Sequence, residues 1–440
     1  MDECCIYGCI QKSIKGLTGY KMSGAKENIL DVLEERGFVE QVTDREQVKE
    51  LLKSPTVCYA GFDPTAKSLH VGSLLPIMAL VHMQMAGHKT IIVIGGGTAL
   101  VGDPSGKTES RPVMKRAQVE ENARFIKAQL SRFIDFNEEK ALMLNNADWL
   151  LDLKYIDFLR DIGRHFSVNR MLAAESYRMR LKTGLNFLEF NYMLLQAYDF
   201  WYLFKHHNCR LQMGGNDQWG NILAGADLIR RLEGETVQGI TFPLLTTATG
   251  IKMGKTHKGA VWLDPELTSP YEYYQYWINQ DDRDIERFLY IFTLLPSDEI
   301  KRLSQLKGEE IRYAKEILAY EATKMCHGKE EADKAREASR SLFGWTKQDR
   351  AKTKYSDNIP THLVDEKRLE QGIEAYILFQ ESGLCKTRSE ARRLISQGGA
   401  YINGKRVSDF DEKIDKEMLN DGQILLRAGK KRYIRICIKE

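Results

Sequence analysis

The sequence predicts an α/β protein: a parallel sheet flanked by helices, then a helical stretch, then a small basic α+β unit. Three observations carry this reading. Short apolar, β-branched runs alternate with helix-like segments from about residue 50 to 250, the pattern of a parallel sheet. Residues 270–343 read as helical throughout. Residues 384–440 hold 14 Lys and Arg against 8 Asp and Glu, net +6, while the remaining residues hold 50 against 53, net −3. A basic end on a near-neutral body points to a polyanion met by the tail.

The elements follow in order. Residues 1–21 have no clear period and precede Met22, where a better helical pattern opens; they read as a disordered leader, or Met22 as the start. The strand-like run Val57–Phe62 turns at Asp63-Pro64, and Thr90–Ile94 ends in three glycines, Gly95 to Gly97. Ala141–Leu144 precedes Asn145-Asn146, Arg210–Met213 ends in Gly214-Gly215, and Ile240–Leu245 leads into a loop at 249–259. Helical stretches such as Leu74–Ala86 and Val119–Phe133 lie between them. Ligands of such sheets bind at the carboxyl ends of the strands, where these glycines and polar residues fall. Further on, Ser297-Asp298-Glu299 starts a helix and Gly328 stops one. Residues 344–361 are polar enough for a linker. Residues 373–440 contain helices at Ile373–Ser382 and Ser389–Gln397, then strands around Tyr401–Val407 and Ile424–Ile438. No internal repeat is visible.

Composition bounds the function. The chain has 440 residues, 43% hydrophobic and 28% charged, an ordinary globular balance at a length that suggests about three domains. No apolar run reaches 18 residues, so no transmembrane helix is expected, and the acidic start is unlike a secretory signal. A cytoplasmic protein is the expectation. The eight cysteines include no Cys-x-x-Cys pair. Cys4, Cys5 and Cys9 match no zinc spacing and read as free thiols, so no protein-bound metal site is expected.

Three constellations carry chemistry. In the first, Asp63-Pro64-Thr65 follows a strand and His70-Val71-Gly72-Ser73 opens a helix. A helix start with a small residue lets phosphates approach free backbone N–H groups, and Thr65 and His70 can hydrogen-bond a phosphate gaining charge. The alternative is an N-cap serine beside a surface histidine. In the second, Lys252-Met253-Gly254-Lys255-Thr256 stands between Gly250 and Gly259. Two lysines three apart in a glycine-flanked loop suit a clamp on pyrophosphate; the alternative is a solvated basic loop. In the third, residues 187–204 form an apolar helix that carries Tyr192, Gln196 and Asp199 at spacings of four and three. Those three share a face, and buried polar groups need partners, so the face lines a pocket or an internal hydrogen-bond network.

The first two constellations together resemble the paired signature motifs of class I aminoacyl-tRNA synthetases. The resemblance then extends to bacterial tyrosyl-tRNA synthetases. It is carried by Tyr59-Ala60-Gly61-Phe62-Asp63-Pro64-Thr65, by Gly102-Asp103-Pro104-Ser105-Gly106-Lys107, by Asn191–Asp199 and by Gln212-Met213-Gly214-Gly215-Asn216-Asp217-Gln218-Trp219, and it covers about residues 28–440. It implies a Rossmann-like catalytic domain at 22–262, an α-helical anticodon-side domain at 263–343, a linker at 344–361 and an RNA-binding domain at 362–440.

It also implies residue roles. Tyr59 and Asp199 hydrogen-bond the phenolic hydroxyl of L-tyrosine, while Asp103, Tyr192 and Gln196 hold its ammonium group. Phenylalanine would leave Asp199 and Tyr59 unpaired. Asp63, Gly72, Gly215, Asp217 and Gln218 surround the adenylate, with Asp217 on the ribose. Thr65 and His70 contact the γ-phosphate. Lys107, Arg111, Lys252 and Lys255 gather at the departing pyrophosphate, with Met253, Gly254 and Thr256 completing the loop. Ser73 stands where many members have a second histidine and keeps a hydroxyl for the ribose. In the tail, Arg388, Arg392 and Arg393 on one side of a helix, with Lys405 after a glycine turn, resemble a small RNA-binding domain first known from a ribosomal protein. The implied reaction joins tyrosine to tRNA(Tyr) through tyrosyl-adenylate, with ATP as co-substrate, accompanying Mg²⁺ and a homodimer. The open alternatives are a tryptophan enzyme and a non-catalytic RNA-binding protein on the same fold.

Overall fold

The computed structural model describes residues 28–105, 114–250, 252–256, 259–343, 360–420, 422–429 and 432–439. The expected leader, with Cys4, Cys5 and Cys9, and nearly all of the expected linker lie outside the described residues, as do Lys107 and Arg111. The chain divides into two compact units, residues 1–332 and 333–440.

The first unit is built on a six-stranded sheet: β1 Gln41–Val42, β2 Val57–Phe62, β3 Lys89–Ile94, β4 Ala141–Asn145, β5 Cys209–Gly215 and β6 Gln238–Phe242. The order is β1-β6-β5-β2-β3-β4, parallel except for the β1 edge. Ile91, Ile92, Leu211, Met213 and Ile240 are almost wholly buried, as expected of strands covered on both faces. β1 was not foreseen, because two residues of mixed polarity leave no periodic signal. β6 begins two residues earlier than expected: Gln238 and Gly239 look like loop residues but are buried between β5 and β1.

The order of the strands locates the site. The chain lays β2, β3 and β4 in one direction, then returns to place β5 against the other side of β2. A crevice opens at such a switch point, at the carboxyl ends of the strands. Tyr59 lies in β2 directly beside Gln212 in β5.

The helix Leu74–Met85 follows β2 and is buried at nearly every position. The apolar run at 187–204 is not one helix. It breaks at Asn191 into Phe187–Phe190 and Tyr192–His207. Nor is it buried throughout, for Phe187 is 68% and Leu188 44% exposed. Asn186 and Glu189 form a capping box on the short helix, a start signal that the apolar reading overlooked. The long helix ends at Asn208, which adopts a left-handed conformation.

Within the same unit, helices Pro270–Ile278, Ile285–Phe292, Ser297–Ser304 and Ile311–His327 pack around Trp277, Phe288, Phe292 and Leu318. No helix among the described residues is long and apolar enough to cross a membrane.

The second unit has a five-stranded sheet. Its order is Lys405–Arg406, Ala400–Ile402, Gln423–Ala428, Arg432–Ile438 and Thr361–Val364. The strands expected around Ile424–Ile438 are Gln423–Ala428 and Arg432–Ile438, paired antiparallel. Thr361, read as the end of the linker, opens a strand parallel to Arg432–Ile438. The expected helix at Ile373 begins with a two-residue strand and becomes helical at Ala375. Helices Ala375–Glu381 and Arg388–Ser396 contribute Leu378, Phe379, Ala391 and Ile395 to a core shared with Ile424 and Leu426.

Candidate active site

Asp199 lies on the inward face of the helix Tyr192–His207 and is only 4% exposed. Its two carboxylate oxygens accept from Asn146 Nδ2 at 2.9 Å and from Trp149 Nε1 at 2.7 Å. Burial nevertheless raises its pKa to about 7, with the Asp63 charge adding to the effect and the two donors opposing it. Asn146 is itself fixed: its Nδ2 also donates to Thr98 Oγ1 at 3.0 Å, and its Oδ1 accepts from Gly97 N at 2.8 Å.

Tyr59 is 2% exposed, and its ring lies 5.4 Å from that of Phe200. Among the described residues its hydroxyl has no hydrogen-bond partner, and neither has Oε1 of the neighbouring Gln212. Burial and the Asp199 charge push the Tyr59 pKa upward, so the hydroxyl stays protonated and able to donate. Buried polar groups left this way are costly unless a ligand completes them.

Asp63 follows β2. Its Oδ1 accepts from Thr98 Oγ1 at 3.1 Å, and its Oδ2 accepts from Tyr192 Oη at 3.4 Å. A Cβ on Gly95 would run into Asp63 Oδ1 and Thr98 Oγ1, so a larger residue there would displace that hydrogen-bonded pair. Asp103 accepts from Ser105 N at 2.8 Å and from Gln218 Nε2 at 2.7 Å. Asn221 Nδ2 donates to Gln196 Oε1 at 2.9 Å and to Gln218 Oε1 at 3.0 Å. Hydrogen bonds therefore link Asp103, Gln196 and Gln218 in one group, and Asp63, Tyr192 and Asp199 (through Thr98 and Asn146) in another.

The two signature segments meet in the fold. His70 and Trp262 form a backbone bridge, Val71 N donates to Val261 O at 2.9 Å, and Val261 N donates to Gly254 O at 2.9 Å. Gly254 has φ +79°, and a Cβ on it would stand 2.8 Å from Gly72 N. Only glycine allows both that backbone angle and that approach. Tyr276 Oη accepts from Gly254 N at 3.3 Å and donates to Met253 Sδ at 3.2 Å. His70, Gly72, Gly215, Asp217, Lys252 and Met253 line a cleft of about 970 Å³.

Thr65 and Ser73 do not line that cleft. Ser73 is the N-cap of the helix Leu74–Met85, without a side-chain capping bond. The backbone of Lys255 and Thr256 forms a short strand, but their side chains lie outside the described residues. In the second unit Arg388, Arg392, Arg393 and Lys405 are all exposed. Arg392 lies over the Tyr376 ring at 4.1 Å and the Phe410 ring at 5.2 Å, and Arg427 lies over Tyr401 at 3.6 Å. Sequence reasoning did not assign Thr98, Asn146, Trp149, Gln212 or Asn221. Asn146 was visible only as a turn residue after a strand and Gln212 only as the first residue of a resembling segment, while Thr98, Trp149 and Asn221 carried no local signal.

A topological switch point, a buried hydrogen-bonded carboxylate beside it and two glycine-rich segments that meet at a cleft are features of one class of enzyme. The chain belongs to the class I tRNA synthetases of the tryptophan and tyrosine group, whose family model matches residues 51–344. Residues 353–436 match the SYY-like C-terminal domain of tyrosine–tRNA ligases. The tyrosine–tRNA ligase of Syntrophus aciditrophicus is 57% identical over 426 residues, covering 94% of this chain and 99% of that protein. That of Desulfatibacillum aliphaticivorans is 56% identical over 429 residues, with 94% and 100% covered. Among solved structures, a C-terminally truncated mitochondrial tyrosyl-tRNA synthetase of Aspergillus nidulans is 31% identical, with a TM-score of 0.66 over 76% of this chain and 98% of that one.

Proposed function

We infer that this chain is a tyrosine–tRNA ligase that works in two steps at the β2–β5 crevice. The observation that carries the choice of amino acid is the buried Asp199 carboxylate, set by Asn146 and Trp149, beside the buried Tyr59 hydroxyl. In the first step a carboxylate oxygen of tyrosine attacks the α-phosphorus of ATP. The bond from that phosphorus to the bridging oxygen breaks and pyrophosphate leaves. In the second step a terminal ribose hydroxyl of tRNA(Tyr) attacks the adenylate carbonyl and AMP leaves. No side chain acts as a nucleophile; the residues position the reactants and stabilise charge on phosphate.

Asp199 accepts the phenolic O–H and Tyr59 donates to the phenolic oxygen, with the amide of Gln212 beside them. Asp103, Tyr192 and Gln196 hold the ammonium group. Asp63, Gly215 and Gln218 surround the adenylate, and Asp217 and Ser73 take ribose hydroxyls. ATP enters as its Mg²⁺ complex. Thr65 and His70 hold the γ-phosphate, and Gly72 lets the phosphates approach. Lys107, Arg111, Lys252 and Lys255 neutralise the departing pyrophosphate, on the loop completed by Met253, Gly254 and Thr256. In this reading residues 22–262 are the catalytic domain and residues 263–343 serve the anticodon side. Residues 362–440 bind tRNA through Arg388, Arg392, Arg393 and Lys405. The enzyme acts in the cytoplasm as a homodimer. Met179, Leu181, Phe187 and Leu188, between 42% and 68% exposed, support a paired apolar face. The direct test is attachment of labelled tyrosine to tRNA(Tyr); failure of purified enzyme to form acid-precipitable tyrosyl-tRNA would overturn the reading.

Alanine at Lys252 or Lys255 lowers the rate constant of adenylate formation by roughly 10- to 100-fold, because these ammonium groups act on charge that develops in the transition state. Tyrosine affinity stays within about twofold, as pre-steady-state and equilibrium measurements will separate. Tyrosine binding also depends on pH. The pKa of Asp199 is raised to about 7, and the charged carboxylate is the stronger acceptor for the phenolic proton. Tyrosine KM therefore rises as pH falls below about 7. Asn146→Ala removes a donor that favours the charged form, so the inflection in KM against pH moves upward in that variant.

A further inference from the structure

We propose that Tyr177 is a positioning residue for the ammonium subsite, because its hydroxyl sits inside the hydrogen-bond ladder at the helix break beside Tyr192. This rests on the reading of Asp103, Tyr192 and Gln196 as that subsite. Tyr177 belongs to the short helix Glu175–Leu181 and is 1% exposed. Its hydroxyl donates to Phe190 O at 2.8 Å and accepts from Met193 N at 3.2 Å. In an unbroken helix Met193 N would bond to Glu189 O, and Phe190 O would accept from Leu194 N. One phenolic oxygen replaces both bonds. A side chain inserted into the ladder is a recognised cause of a kink, and this kink falls at Asn191, immediately before Tyr192.

The insertion is braced from both ends. Three residues after Tyr177, Arg180 donates to Glu189 at 2.9 and 3.2 Å, to Gly184 O at 2.9 Å and to Thr183 Oγ1 at 2.6 Å. Arg180 and Glu189 are both buried, and Glu189 also serves the capping box with Asn186. Helix Glu175–Leu181 is thus tied to the short helix that ends at the break. Burial, with the nearby Asp103 charge, pushes the Tyr177 pKa upward, so the phenol keeps the proton it donates. Tyr177 touches neither reacting atom; it acts by fixing where Tyr192 leaves the break to meet Asp63.

The test uses Tyr177→Phe in the full-length protein with three ligands. These are tyrosine, tyrosinol (ammonium without carboxylate) and 3-(4-hydroxyphenyl)propionate (carboxylate without ammonium). Removing the oxygen leaves two buried backbone groups unpaired. Tyrosine KM and the tyrosinol Kd rise about tenfold, whereas the propionate Kd and the kcat of ATP–pyrophosphate exchange stay near wild type. Thermal melting checks the fold. If Tyr177→Phe does not fold, Arg180→Lys, which loosens the same helix and leaves Tyr177 in place, shows the same ligand pattern with a smaller factor. An equal loss for all three ligands, or no loss, overturns the proposal. A wild-type enzyme that binds the propionate as tightly as tyrosinol overturns the ammonium-subsite reading beneath it.

Discussion

Asp199→Ala severely impairs tyrosine activation while leaving the fold intact. Removing the carboxylate forfeits a hydrogen bond to a charged group and leaves the buried phenolic donor unpaired, together about 2–5 kcal/mol, a factor of roughly 30 to several thousand in kcat/KM. The variant also strands Trp149 Nε1 and leaves Asn146 Nδ2 with Thr98 Oγ1 in place of two acceptors. Asp199→Asn is not benign either, because its amide N–H₂ would face one of those two donors. Stability moves differently. A pKa raised to about 7 means that the native state holds a proton which the unfolded chain releases near pH 4. Wild-type stability contributed by this group therefore falls as pH rises from about 4 to about 7, and Asp199→Ala removes that decline. The melting temperature of the variant relative to wild type should rise with pH across this window, while circular dichroism at neutral pH stays unchanged. Normal tyrosine-dependent activity in the variant would refute the pocket assignment.

A protein ending near Asn358 keeps tyrosine activation and loses tRNA charging. The two compact units have separate cores, and residues 384–440 hold the net +6 that the rest of the chain lacks. ATP–pyrophosphate exchange stays near the full-length rate, and tyrosine transfer to tRNA falls by at least about 10²-fold, since several phosphate-binding cations go together. In the full-length protein, alanine at Arg388, Arg392 or Arg393 lowers the slope of log affinity against log salt by about one for each phosphate that the removed guanidinium had neutralised. Arg392 will lose packing as well as charge, because it stacks on Tyr376 and Phe410. Aggregation with loss of both activities would mean that the tail only covers an apolar face.

The sheet was legible where apolar runs ended in sharp turns. Val57–Phe62 is β2 residue for residue, and the expected runs at β3 and β4 each fell one residue short. Spacing along the helix placed Tyr192, Gln196 and Asp199 on one face, because a buried apolar helix makes its few polar residues conspicuous. Their supporting partners were not legible. Trp149 comes from the helix after β4, Thr98 from the turn after β3 and Asn221 from the helix after β5, and only the folded sheet brings them together. The break at Asn191 was hidden for a related reason. Hydrophobic periodicity runs across it, and the group that breaks the ladder is a tyrosine 14 residues earlier in the chain.

Tyrosine, phenylalanine and tryptophan compared side by side in ATP–pyrophosphate exchange test the central claim most directly. Tyrosine alone completes the Asp199 and Tyr59 hydrogen bonds, so exchange should depend on tyrosine, with phenylalanine and tryptophan at background. Exchange driven equally well by phenylalanine, or better by tryptophan, would contradict the phenol-reading role of that pair.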